Sequence, residues 1–141
     1  MSDAARPASA FVDSSAWIAL RSRGDQHHAA ADRLFRDALR QRVPLITTSL
    51  VVAETHRLTV FRAGAHAARR FLALIDASPS VTVVYPAAPE HVAACRWLDR
   101  LGARPVTYTD AVSFAVMEHT RCGHVLGFDQ DFVAAGFSVW S

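Results

Sequence analysis

The sequence contains no lysine, and all fifteen of its basic residues are arginine. A P-loop, a catalytic lysine and the lysine-containing acidic pocket of a receiver domain each need that side chain, so these three kinds of site are excluded. Arginine suits bidentate binding of phosphate. However, the formal net charge is only +2, and no basic arm indicates nucleic acid. The base composition of the source genome explains the all-arginine set most simply.

Long apolar runs and a signal segment are also missing. The longest apolar stretches, such as residues 50–53, are far too short to span a bilayer. The first ten residues have no apolar segment of the kind found in secretory signals. The two cysteines, Cys95 and Cys122, form no metal-binding pair, and we expect both to be reduced core thiols. These absences predict a cytoplasmic protein with no membrane contact.

The chain has the length and composition of one globular domain. Its 141 residues, 51% of them hydrophobic, can form a real core. Short strand-like runs alternate with stretches of helical periodicity, and the predicted strands lie at residues 10–12, 45–47, 81–84, 124–128 and 137–140. This alternation predicts a parallel sheet with helices on both faces. We expect a single domain over residues 1–141, with residues 1–9 flexible.

Asp13 follows the first predicted strand and precedes a helix that Ser14 and Ser15 can open. Ligands of open α/β sheets bind outside the carboxyl ends of the strands, so Asp13 is a candidate metal ligand. An aspartate at a strand–helix junction is also a good helix N-cap. This stretch by itself leaves both interpretations open.

Glu54 is one of only three glutamates in the chain. In the predicted helix over residues 50–62 it shares a face with Val51 and Leu58, so it points toward the core. An unpaired carboxylate among inward-facing apolar residues is costly. Either Glu54 pairs with an arginine such as Arg57 at the edge of the core, or it shares a site with Asp13.

Further acidic positions occur late in the chain. Thr109 is predicted to cap a helix that carries Asp110 in its first turn, beside Ser113. Asp129 follows the fourth predicted strand, and Asp131 comes two residues later. Both places have an ordinary alternative explanation. Asp110 can be a first-turn aspartate that the helix dipole stabilises. Asp129 and Asp131 can form a turn in which one of the two caps the backbone.

Taken together, the four acidic positions indicate a shared site more strongly than any of them does alone. The strand exits and helix entries that hold Asp13, Asp110 and Asp129 should meet at one edge of the sheet, where Glu54 also faces inward. Four carboxylates in one cleft repel each other unless a hard cation is present. Oxygen ligands suit Mg²⁺ or Mn²⁺ rather than zinc. Because such ions bind phosphate oxygens and activate water, the pattern predicts hydrolysis of a phosphodiester.

The succession FVDSSAW, SLVVAET, TYTDAVSFAVM and LGFDQDF resembles that of the PIN-domain ribonucleases. It is most similar to the VapC-type toxins of bacterial toxin–antitoxin pairs. The likeness runs over residues 11–140, nearly the whole chain. Each motif alone is weak, whereas their order and spacing together are specific. The resemblance implies a three-layer α/β/α fold with a parallel sheet of about five strands in the order 3-2-1-4-5.

The resemblance also implies roles for individual residues. The catalytic and metal-binding acids that it implies are Asp13, Glu54, Asp110 and Asp129. Ser15 would support the first acid by hydrogen bonds, and Ser113 and Asp131 are further supporting residues, although relatives often carry another residue in place of Asp131. Gly127 departs from the pattern, because relatives more often have Ser, Thr or Ala there. That departure removes a hydroxyl beside the site and leaves the metal site intact.

The function that the resemblance implies is an RNA-cleaving toxin, often a homodimer, that a small antitoxin protein neutralises. Its cofactor would be Mg²⁺ or Mn²⁺. Two alternatives remain: a PIN nuclease that is not a toxin and processes RNA or acts on DNA, and a binding module without catalysis. A small upstream gene for a DNA-binding protein would favour the toxin, and the complete set of four acids argues against the silent module. The sequence identifies neither the RNA target nor the number of metal ions.

Overall fold

The computed structural model of the protein describes residues 6–140. The predicted flexibility of residues 1–9 concerns a segment whose first five residues lie outside that range, and it stays a prediction. The strands are β1 (Ala10–Val12), β2 (Leu45–Thr48), β3 (Val81–Val84), β4 (His124–Leu126) and β5 (Ser138–Val139). They form one sheet in the order β3-β2-β1-β4-β5, and all neighbours are parallel. The predicted fold and strand order are therefore confirmed.

Helices connect the strands and complete a three-layer α/β/α arrangement. The helices of the described part are α1 (Ser14–Arg21), α2 (His28–Gln41), α3 (Ser49–Ala63), α4 (Ala65–Ala77), α5 (Ala88–Leu101), α6 (Tyr108–His119) and α7 (Asp131–Ala134). Consecutive helices pack as the pairs α1–α2, α3–α4 and α5–α6. Between residues 6 and 140, no helix has both the length and the apolarity needed to cross a bilayer.

The central strand β1 explains where a ligand can bind. Its three apolar residues are completely buried, as expected for a strand covered on both faces. The chain leaves β1 for β2 on one side and returns to β4 on the other. The sheet therefore has its switch point at β1, and the carboxyl ends of β1 and β4 flank a crevice of the kind that holds ligands in open α/β sheets.

Aromatic packing fixes the segment that follows β4. The Phe132 ring is buried, and its centroid lies 6.1 Å from that of Phe11 in β1 and 5.0 Å from that of Phe114 in α6. Complete burial of such a side chain contributes about 1.5–3 kcal/mol. Because Phe132 is anchored in this way, the short turn that precedes it has a defined position over the end of the sheet.

The start of α6 differs from the predicted one. Thr107, not Thr109, is the N-cap, and its Oγ1 accepts a hydrogen bond from the backbone N–H of Asp110 at 3.2 Å. The backbone of Thr107 is extended, whereas Thr109 already lies inside the helix. The helix ends at His119, before the predicted residue 122. Two threonines at alternate positions give the same local capping pattern, so the sequence alone could not choose between them.

The two cysteines have different surroundings. Both are free thiols, but Cys122 is buried and Cys95 is exposed. The expectation of two core thiols is therefore right for Cys122 and wrong for Cys95, because Cys95 lies on the outward face of the amphipathic helix α5.

Candidate active site

Asp13 is held at the carboxyl end of the central strand. Its backbone N–H donates to the carbonyl of Leu126 at 3.0 Å, which extends the β1–β4 ladder by one residue. The residue is only 2% exposed. Asp13 has the N-cap position of α1, yet its side chain makes no capping hydrogen bond. The carboxylate is thus not explained as a helix cap and remains available to the crevice.

Ser15 links the two strand ends that flank the crevice. Its Oγ donates to Asp13 Oδ2 at 3.0 Å and accepts from the backbone N–H of Phe128 at 2.9 Å. The first contact orients the carboxylate, and the second ties it to the segment that carries the last acids. Ser15 therefore makes the hydrogen bond that its expected supporting role requires.

Glu54 reaches the site from α3 and contacts a residue that the sequence did not single out for this role. Ser14 Oγ donates to Glu54 Oε1 at 2.6 Å. The suggested pairing with Arg57 is wrong: the Arg57 guanidinium lies over the Phe61 ring, 5.5 Å from its centroid. No ion pair of Glu54 occurs within residues 6–140. Glu54 is half-buried rather than fully inward, since Val51 and Thr55 form the buried face of α3.

Three aspartates form the closest cluster of the site. One carboxylate oxygen each from Asp110, Asp129 and Asp131 lies within 4.8 Å of the others. Asp110 is 7% exposed. Asp129 Oδ1 accepts a hydrogen bond from the backbone N–H of Asp131 at 2.9 Å. One of the two carboxylate oxygens of Asp129 therefore caps the turn, as the alternative explanation predicts, and the other does not. Asp131 Oδ1 in turn accepts from Arg104 Nε at 2.7 Å.

Burial and repulsion from neighbouring carboxylates raise the pKa of Asp13. Burial raises the pKa of Asp13 from 3.8 to about 6, against the hydrogen bonds from Ser15 and the backbone of Ser14. Repulsion from Asp129 and Glu54 contributes to that rise. The carboxylates of β1, α3 and the segment after β4 therefore act on one another electrostatically.

Asp110 is perturbed more strongly. Burial is the main reason why its pKa rises from 3.8 to about 8, and repulsion from Asp13, Asp129, Glu54 and Asp131 adds to that effect. A carboxyl group that stays protonated near neutral pH indicates a shortage of nearby positive charge. The four other acids all act on Asp110, so the structure places the five carboxyl groups within electrostatic reach of one another.

The donor set of this site fits a hard divalent cation. Its ligand atoms are carboxylate oxygens, which suit Mg²⁺ or Mn²⁺. In the described part of the chain, the cluster contains neither histidine nor cysteine, and Arg104 is the only residue that forms an ion pair with it. One guanidinium does not balance five carboxylates. A bound cation would supply the missing charge.

Gly127 leaves room for the first acid. A Cβ built at this position would lie 3.1 Å from Asp13 Cβ and 3.3 Å from Ser15 Oγ, which is tighter than ordinary contact. The Ser, Thr or Ala that the family resemblance leads us to expect here would therefore press on Asp13. The departure removes a hydroxyl and permits a close approach of β1 to the segment after β4.

Ser113 has a different contact from the one that a supporting role requires. It is completely buried, and its Oγ donates to the Thr109 carbonyl one turn earlier in α6, at 3.0 Å. Within residues 6–140 it makes no hydrogen bond to an acid of the site. Its role at the site stays a prediction.

The sequence reasoning missed two polar residues that touch the acids. Ser14 was considered only as a helix start, although its place directly after Asp13 in the first turn of α1 was a usable signal. Arg104 lies between Gly102 and Pro105, where no local pattern points to Asp131. Both contacts join segments far apart in the chain.

Comparison with known proteins agrees with this geometry. The PIN domain model matches residues 10–138. The chain is 39% identical over 128 residues to the 23S rRNA-specific endonuclease VapC20 of Mycobacterium tuberculosis, in strains CDC 1551 / Oshkosh and ATCC 25618 / H37Rv, a match that covers 90% of this chain and 94% of the relative. The crystal structure of M. tuberculosis VapC20, described as a Sarcin-Ricin loop cleaving toxin, has a TM-score of 0.82 and 37% identity, covering 92% of this chain and 96% of that chain. The expected relationship is confirmed, and the protein belongs to the PIN-domain family.

Proposed function

We propose that the protein is a metal-dependent endoribonuclease and the toxin of a toxin–antitoxin pair. The observation that carries this conclusion is the single site formed by Asp13, Glu54, Asp110, Asp129 and Asp131. Burial and repulsion raise the pKa of two of these acids, so the site needs a cation. A partly buried cluster of this kind serves the chemistry of phosphodiester hydrolysis and has no evident structural purpose.

The proposed substrate is ribosomal RNA. The relatives named above are 23S rRNA-specific, and the solved relative is described as cleaving the Sarcin-Ricin loop. The similarity extends over 94% of the relative's length, and the PIN domain match over residues 10–138 includes all segments that form the acidic site. We propose the same loop of 23S rRNA as the target of this chain.

The residues that would hold Mg²⁺ or Mn²⁺ are Asp13, Asp110 and Asp129, with Glu54 as a further ligand, directly or through water. When bound, such an ion polarises phosphate oxygens and lowers the pKa of a coordinated water. The chain itself orients the ligands: Ser15 holds Asp13, and the cap at Thr107 fixes the first turn that carries Asp110.

Proton release belongs to the same proposal. At neutral pH the raised pKa values leave a proton on Asp110 and partly on Asp13. These carboxyl groups must lose that proton to become ligands. Metal affinity should therefore increase with pH between about 6 and 8, because protons and metal compete for the same oxygens.

Partners and location complete the proposal. An antitoxin would occlude the acidic crevice, and an arginine or lysine from it could substitute for the cation. We include a homodimer, as the family resemblance implies, and action in the cytoplasm, where ribosomal RNA occurs. Co-expression with the small upstream gene should yield a stable complex and relieve a growth defect. Absence of any growth defect in the native host would favour the non-toxin alternative.

Purified protein and 70S ribosomes test the activity directly. We expect one cut in 23S rRNA with Mg²⁺ or Mn²⁺ and none in excess EDTA. Asp13→Asn and Asp110→Asn should each abolish the cut, whereas Asp76→Asn, the same change at an exposed position of α4, should leave it intact. Equal cleavage by the wild type in EDTA would overturn the metal mechanism. Cleavage of other RNAs only would favour the non-toxin nuclease.

A further inference from the structure

Arg104 and Asp131 form an ion pair beside the proposed metal ligands, and neither residue is one of those ligands. Arg104 Nε donates to Asp131 Oδ1 at 2.7 Å. A carboxylate oxygen of Asp131 lies within 4.8 Å of oxygens from Asp110 and Asp129. The guanidinium is therefore adjacent to the proposed metal site, where the cleaved phosphate would bind.

The way in which Arg104 is bound leaves most of its donors available. A guanidinium has five N–H donors, and the bond to Asp131 uses the one on Nε. Elsewhere in residues 6–140 the group donates no hydrogen bond, and the side chain is 41% exposed. The two Nη atoms, with their four N–H groups, form the planar fork that matches a phosphate.

The backbone beneath Arg104 is fixed. Its N–H donates to the Leu101 carbonyl at 3.2 Å, and its carbonyl accepts from Val106 at 2.8 Å. Pro105 restricts the turn further. Three residues on, Thr107 caps the helix that carries Asp110. One short, ordered segment therefore carries both Arg104 and Asp110, the acid whose pKa is raised most.

Stability is a poor explanation for this ion pair. A partly exposed pair of this kind contributes little to folding. Charge balance alone is also a weak explanation for the pair. A lysine would neutralise Asp131 equally well, and so would a contact through an Nη atom in place of Nε. The contact through Nε instead holds the guanidinium by one edge, and neither Nη atom donates a hydrogen bond within residues 6–140.

We propose that Arg104 binds a phosphate of the RNA next to the cleaved bond, and that Asp131 positions this guanidinium and is not a metal ligand. This inference rests on the proposed function and adds a substrate contact to it. Asp129 and Asp131, which lie two residues apart, then have separate tasks: Asp129 holds the metal, and Asp131 holds the arginine.

Variants of Arg104 test the phosphate contact. The probe is an RNA hairpin with the sarcin–ricin loop sequence, with binding measured in Ca²⁺ under conditions where no cleavage occurs and KM and kcat measured in Mg²⁺. Arg104→Gln should weaken binding about tenfold and lower the slope of log K against log salt by about 0.7 to 0.9. The loss should appear in KM more than in kcat. Arg104→Lys should keep the salt slope and regain only part of the affinity.

Arg100→Gln is the matched control, because it removes the same charge near the end of α5. The Arg100 guanidinium lies over the Trp97 ring at 4.2 Å, where it already has a partner. This variant should bind the hairpin like the wild type. Equal affinity and equal salt slope for Arg104→Gln and wild type would overturn the inference and leave Arg104 as a neutralising charge only.

Asp131→Ala separates positioning from metal binding. Removal of a negative charge should strengthen RNA binding by simple electrostatics, so weaker binding would indicate that Asp131 acts through Arg104. In the Arg104→Gln background the same change should no longer weaken binding. Mn²⁺ affinity, measured by calorimetry without RNA, should be unchanged in Asp131→Ala. A clear loss of Mn²⁺ affinity would make Asp131 a ligand and overturn its positioning role.

The behaviour of the wild type shows whether the proposed nuclease function or only the role of Arg104 is wrong. If it neither binds nor cleaves the hairpin or the ribosome, the proposed function fails and the inference fails with it. If the wild type cleaves and Arg104→Gln cleaves with the same KM, only the inference fails.

Discussion

Ser14 donates a hydrogen bond of 2.6 Å to Glu54, so the residue that follows the first acid in the sequence holds the acid that comes from α3. With Ser15 bound to Asp13, two consecutive serines at the start of α1 orient two carboxylates from different parts of the sheet edge. The first turn of α1 therefore orients two of the proposed metal ligands, in addition to starting a helix.

Ser14→Ala should lower activity with little effect on the fold. Loss of a residue that orients a metal ligand typically costs about 10- to 100-fold in activity or metal affinity. We expect a fall of that size in kcat and a weaker apparent Mg²⁺ affinity, both measured on the rRNA hairpin. Ser22→Ala, at the exposed end of α1, is the control and should behave like the wild type. Full activity of Ser14→Ala would show that Glu54 needs no such orientation.

The metal-free protein should lose stability as pH rises. Because the pKa of Asp110 is raised from 3.8 to about 8, the native state binds more protons than the unfolded state between these values. The free energy of unfolding therefore falls with pH across that window. A divalent ion reverses this by binding the native state, by about 2.7 kcal/mol at a hundredfold excess over its dissociation constant. Thermal melts in EDTA and in Mg²⁺, from pH 5 to pH 8.5, measure both effects.

Neutral variants should reproduce part of the metal effect. Asp110→Asn should melt higher than the wild type in EDTA at pH 8 and respond less to Mg²⁺, because a charge has been removed from the repelling cluster. Asp129→Asn should behave in the same way. Asp131→Asn should not, because its carboxylate already has a partner in Arg104. If all three variants melt below the wild type in EDTA and respond equally to Mg²⁺, the clustered-carboxylate site is wrong.

Gly127→Ala tests the close approach at the first acid. The added Cβ would lie 3.1 Å from Asp13 Cβ, so Asp13 or Gly127 must shift. Overpacking of this kind costs about 1–3 kcal/mol, and we expect a lower melting temperature together with lower activity. Gly123→Ala is the matched control, since a Cβ there meets nothing within 4 Å. Wild-type activity of Gly127→Ala would show that the site tolerates the side chain found in relatives.

The sequence predicted the elements of the fold better than their boundaries. Apolar runs separated by helical periodicity place all five strands, because burial on both faces imposes that pattern. The strand order came from the family resemblance, since periodicity within single segments carries no information about neighbours. At α6 the predicted N-cap, Thr109, is wrong, because the structure around the helix start decides which residue stays extended.

The acids of the site were predictable, whereas the residues that hold them were not. Asp13 follows β1 directly and Asp129 lies three residues after β4, so the sheet topology itself brings them together. The contact between Ser14 and Glu54 joins residues 40 positions apart, and that between Arg104 and Asp131 joins residues 27 positions apart. Such pairings depend on how helices dock, and one sequence shows no local signal for them.

Sequencing of RNA 5′ ends after brief induction tests the central claim most directly. Wild type and Asp13→Asn are expressed to the same level, and new 5′ ends are mapped across the transcriptome. We predict one dominant new end within the sarcin–ricin loop of 23S rRNA in the wild type and none in Asp13→Asn. The same end at the same frequency in Asp13→Asn, or no new end in either strain, would contradict an acid-cluster endoribonuclease.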